Sequence, residues 1–72
     1  MSSHTPDKLA YMANQIARNL AHEPDPAAAV ARHIHDFWSP RMKQMAFALG
    51  GAGLDPAARE ALARLGANAE FQ

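Results

Sequence analysis

Four histidines, seven carboxylates and three serines are the residues of this 72-residue chain that could do chemistry, and there is no cysteine. Histidines and carboxylates hold a metal or move protons only when the fold gathers several of them on one side. The spacing here works against that. His33 and His35 are two residues apart, so on a helix they diverge by about 200° and cannot share an ion. His4 lies near the start of the chain and His22 near a predicted helix end. No two histidines stand at i, i+4 around a carboxylate, as a helical zinc site requires. Arg32–Asp36 and Glu60–Arg64 do stand at i, i+4. Each reads as a solvent-face ion pair worth about 0.3–0.5 kcal/mol, not as a catalytic carboxylate pair. Ser2, Ser3 and Ser39 have no nucleophile motif around them. Gly50-Gly51-Ala52-Gly53 precedes a helix, as a phosphate loop does, but lacks the preceding strand and the following Lys-Ser/Thr. The residues therefore predict no self-contained active site, no metal and no cofactor bound by this chain.

The elements that would position these side chains announce themselves by one repeated signal. Thr5-Pro6, Asp25-Pro26, Ser39-Pro40 and Asp55-Pro56 each pair a good helix cap with a proline at the first helical position. They predict helices near 6–21, 26–38, 40–49 and 56–65, with an N-terminal tail over 1–5 and a C-terminal tail over 66–72 that Phe71 could anchor. The first helix carries an apolar stripe of Leu9, Met12, Ala13, Ile16, Ala17 and Leu20. The second carries Ala27, Val30, Ala31, Ile34, Phe37 and Trp38, and the third Met42, Met45, Ala46 and Leu49. The last helix has a thin stripe of Ala58, Ala61, Leu62 and Leu65 behind a Gly-rich joint. Short helices are weak without packing. The expected fold is all-α: a small bundle of three main helices plus a short, weaker fourth.

Phe37-Trp38-Ser39-Pro40-Arg41-Met42 concentrates the large side chains at one bend. Proline disfavours helical geometry at the residue before it, so one helix stops and the next starts there. Trp38, Ser39 and Pro40 form the structural corner, with Trp38 expected inward. Aromatics and Arg are also the usual anchors of protein interfaces. Phe37, Arg41, Met42 and Phe47 are therefore candidate contact residues. Tyr11, Asn14, Gln15 and Arg18 lie opposite the stripe of the first helix and form a second candidate face.

Composition points the same way. The hydrophobic fraction is 49%, but 17 of those residues are alanine, which has little side chain to bury. A chain this small and thin-cored gains from a permanent partner, and the isolated chain could self-associate. Seven basic residues balance seven acidic ones. That argues against nucleic acid, whose binding rests on a basic surface. The absence of cysteine gives no sign of a disulfide scaffold. The N-terminus lacks a signal-peptide pattern, and no apolar run approaches the roughly 18 residues of a membrane span. The expected location is the cytoplasm, away from membranes.

Two segments read together suggest a family. They are Lys8-Leu9-Ala10-Tyr11-Met12-Ala13-Asn14-Gln15-Ile16-Ala17 and His33-Ile34-His35-Asp36-Phe37-Trp38-Ser39-Pro40-Arg41-Met42. In this order and spacing they resemble the small delta subunit of NAD-dependent, molybdenum-containing formate dehydrogenases. The Gly-rich joint and Leu54-Asp55-Pro56 also look like that family, and the resemblance covers roughly residues 5–65. It implies a cytoplasmic complex with molybdenum bis-guanine dinucleotide, iron–sulfur clusters, FMN and NAD, all held by other subunits. It implies a non-catalytic accessory subunit that binds the catalytic (alpha) subunit and supports assembly, stability or molybdenum cofactor loading. The alternative is a free helical regulator, such as a small helix-turn-helix DNA-binding protein. A recognition helix starting at Pro40 would offer only Arg41, Lys43 and Gln44 before turning apolar.

Overall fold

Each of the four cap-proline pairs opens a helix. The computed structural model describes residues 5–70, with side chains to residue 67. The helices are α1 (Pro6–Asn19), α2 (Pro26–Phe37), α3 (Pro40–Phe47) and α4 (Pro56–Glu70). Regular structure among the described residues is entirely helical. His4, the first four residues of the expected N-terminal tail, and Phe71 with Gln72 lie outside the described residues.

The starts follow local chemistry. The hydroxyl of Thr5 accepts the Lys8 N–H, the carboxylate of Asp25 accepts the Ala28 N–H, and the hydroxyl of Ser39 accepts the Met42 N–H, each at 3.2 Å. Each satisfies one of the orphan donors of a helix start. At α4 the Asp55 carbonyl takes the first intrahelical bond, from the Arg59 N–H at 2.8 Å.

The ends differ from the sequence expectation. α1 stops at Asn19 rather than 21, because its last turn tightens into three-residue bonds: Ala21 N–H donates to Arg18 O and Glu23 N–H to Leu20 O. α3 stops at Phe47 rather than 49 for the same reason, with Leu49 N–H on Ala46 O and Gly50 N–H on Phe47 O. The larger correction concerns α4. It is the longest of the four at 15 residues, not short, and it runs through Gly66 to Glu70. Glycine in a helix interior costs about 1 kcal/mol relative to alanine. Here Phe47 lies against Gly66, where an added Cβ would stand 3.9 Å from the ring. The ring thus packs close to the α4 backbone.

α1 contacts all three other helices, and α4 packs most extensively on α2. The core gathers Leu9, Ala13, Val30, Ile34, Trp38 and Leu62 with several alanines. On α1 the buried residues are Leu9, Ala10, Ala13 and Ala17, whereas Met12, Ile16 and Leu20 are half-buried. The inward face is thus turned toward the alanines. Small side chains permit the close approach that contact with three neighbouring helices demands.

Candidate partner-docking surface

Among the described residues the ionisable groups pair at the surface. His22 Nε2 lies 3.4 Å from the half-exposed Glu23, and His35 Nδ1 lies 3.2 Å from the exposed Asp36. Arg18 Nε lies 3.8 Å from Asp55. The expected Glu60–Arg64 pair forms, and Arg64 also reaches Asp25 at 3.4 Å. Asp36 turns to His35 instead of Arg32. Among the described residues Asp25 and Arg64 are shifted. The Ala28 N–H, and then the Arg64 side chain, hold the Asp25 carboxyl below its ordinary range. Glu60, and then Asp25, raise Arg64. Among the described residues no group of three or more His, Asp or Glu side chains is placed to hold a metal ion.

What the surface does present is apolar. Adjacent residues at the corner part company: Trp38 is 6% exposed and Phe37 is 73% exposed. The reason is geometric. Trp38 leaves the helix in an extended conformation (φ −91°, ψ 141°) and turns into the core, while Phe37 is still helical and about 100° away around the axis. The Phe37 ring is not bare. His33, one turn earlier, lies with its centroid 4.8 Å away at a 41° tilt. Leu20, Ala28, Ala29, His33 and Phe37 border an open groove along the outer face of α2, together with the charged Glu23, Asp25, Arg32 and Asp36. The i, i+4 spacing of His33 and Phe37 is the sequence signal of this pair.

The other candidate residues fall into three groups. Arg41 is exposed just past the bend. Tyr11 is 63% exposed, and its hydroxyl accepts a 2.8 Å hydrogen bond from Gln15 Nε2. Arg18 is exposed beside Asp55. Met42 and Phe47 are half-buried against the core. Asn14 is committed inside the chain: its Nδ2 donates to Gly53 O at 2.9 Å and its Oδ1 accepts the Asp55 N–H at 2.7 Å. The fold thus divides the eight residues between an exposed set (Tyr11, Arg18, Phe37, Arg41), the half-buried Gln15 that braces Tyr11, and a set engaged within the molecule.

Comparison with known families is informative over most of the chain. The profile of the family described as "NADH-dependant formate dehydrogenase delta subunit FdsD" matches residues 8–62. The match includes α1 from Lys8 onward, all of α2 and α3, the glycine joint and the first half of α4. No curated protein and no solved structure matches the chain.

Proposed function

We propose a role inside a multi-subunit enzyme, because the chain belongs to the family of NADH-dependent formate dehydrogenase delta subunits. In this reading the chain is an accessory subunit without catalytic residues of its own. It docks on the catalytic (alpha) subunit and supports assembly, stability or molybdenum cofactor loading. Formate oxidation and NAD reduction then belong to the other subunits, which would carry the molybdenum cofactor, the iron–sulfur clusters and FMN. The assembled complex acts in the cytoplasm. No helix among the described residues is long and apolar enough to cross a membrane.

One observation carries the docking role. A small chain whose core is rich in alanine leaves Phe37, one of its largest apolar side chains, 73% exposed. Aromatics and Arg supply most of the energy at protein interfaces, with the rest of the surface contributing complementarity. Phe37 and Arg41 at the corner form the primary contact. Tyr11, held upright by Gln15, forms the second.

The test is co-purification of the assembled complex with Phe37→Ala, Arg41→Ala and Tyr11→Ala, with helicity of each isolated variant measured in parallel. The reading expects folded variants, weaker association and lower molybdenum content. Wild-type recovery of the complex with all three folded variants would sink the assigned surface. The DNA-binding alternative gains nothing from the fold. Lys43 is tied to the His35 carbonyl at 3.0 Å, which leaves Arg41 and Gln44 as the exposed polar side chains of α3.

A further inference from the structure

Asn14 is the residue through which α1 holds the far end of the chain. Its two hydrogen bonds, to Gly53 O and from Asp55 N–H, span 39 and 41 positions of sequence. They bracket Leu54, which is buried. One turn along α1, Arg18 faces the Asp55 carboxylate. These contacts converge on the point where α4 begins.

The other hydrogen bonds at the root of this segment, Ala52 N–H to Leu49 O and Leu54 N–H to Gly51 O, lie within the joint itself. Between α3 and α4 the chain passes through Gly50, Gly51 and Gly53 at φ +62°, +90° and +74°. A joint of this kind follows its contacts, since glycine adds no side-chain restriction of its own. Beyond it, α4 packs chiefly on α2. It offers the core Ala58, Ala61 and Leu62 as buried side chains, with Ala57 and Leu65 half-buried beside them. Alanine buries little apolar area, so Leu62 and Leu65 supply most of the apolar bulk that α4 contributes. The Asp25–Arg64 pair across the same helices is exposed and contributes little. Two backbone-directed hydrogen bonds from α1 then add a directional hold at the root of α4 to that packing.

We infer that Asn14 is a latch: residues 54–70 open from α2 as one unit, and Asn14 sets how often they do. Opening exposes part of the apolar cluster around Val30 and Ile34 without unfolding α1. The amide suits this task because it donates and accepts at once, matching one carbonyl and one N–H two residues apart. Residues with only one of the two functions cannot hold both ends.

Hydrogen exchange on the full-length chain tests the latch. In the wild type, residues 54–70 should exchange faster than α1 and α2. Asn14→Ala should raise exchange of 54–70 by about tenfold or more, with a much smaller change in α1 and α2. Gly53→Ala strains the same root from the other side and should reproduce that pattern. Lys8→Ala, at an exposed position of the same helix outside the latch, should not. Equal acceleration of all helices in Asn14→Ala, up to complete unfolding, overturns the idea of a local latch. So does unchanged exchange of 54–70, or the same selective acceleration in Lys8→Ala.

Discussion

Asp25 and Arg64 meet across 39 positions of sequence, Arg64 Nη1 standing 3.4 Å from Asp25 Oδ2 while Asp25 Oδ1 caps α2 through the Ala28 N–H. One carboxylate therefore serves a helix start and a helix-to-helix contact. Both partners favour its ionised form, so its folded pKa is lower than its unfolded one. The sign follows: the contribution is fully present above the unfolded value and is lost as pH falls through the folded one. Thermal midpoints of wild type and Asp25→Asn should differ at neutral pH, with wild type higher, and converge in the acid range below that of ordinary carboxylates. Asparagine keeps the capping oxygen, so the difference reports the charge. Because the pair is exposed, added salt should also narrow the gap. A gap that is constant across the acid range would contradict the shift.

Trp38 and Phe37 should respond oppositely to truncation. Trp38→Ala removes a large side chain from the core and should cost about 3–5 kcal/mol, read from denaturant unfolding followed by helicity. Phe37→Ala should stay within about 0.5 kcal/mol of wild type, because the ring lies mostly in solvent. Comparable losses for the two would mean that Phe37 packs more deeply than its exposure indicates.

At Gly51 the backbone and the neighbour both resist a side chain. Its φ is +90°, and an added Cβ would stand 3.1 Å from the Cγ and Cδ of Arg59. Arg59 is exposed and flexible enough to yield, so the backbone term dominates. Gly51→Ala should destabilise by about 1–3 kcal/mol. Gly51→Ala combined with Arg59→Ala should recover little of it. Full recovery in the double variant would place the cost in the contact instead.

Ser39 caps the shortest helix. α3 has 8 residues, and the Ser39 hydroxyl accepts the Met42 N–H at 3.2 Å. Ser39→Ala should cost about 1 kcal/mol, and Ser39→Asp should restore most of it. Chemical denaturation of the three proteins decides this. If alanine and serine are equally stable, the turn is held by Pro40 and Trp38 alone.

The sequence by itself determined where each helix begins. A capping oxygen reaches only three residues ahead, and proline acts on its own bond and the one before it, so Thr5-Pro6, Asp25-Pro26, Ser39-Pro40 and Asp55-Pro56 needed no tertiary context. Periodicity likewise marked Leu9, Ala13, Val30, Ile34 and Trp38 as core. Only the tertiary structure decided the rest. Gly66 reads locally as a stop, yet α4 passes through it with Phe47 packed alongside. Ala10 lies off the apolar stripe of α1 but is buried, because three helices crowd that side. Asn14 sits on the polar face of α1, and its partners at Gly53 and Asp55 become neighbours only when the joint folds back. Phe37 belongs to the stripe of α2 by spacing and is left outside because Trp38 takes the inward place at the corner. The division follows the range of the forces: caps and prolines act within one turn, whereas side-chain burial and the Asn14 bonds depend on segments brought together from distant positions.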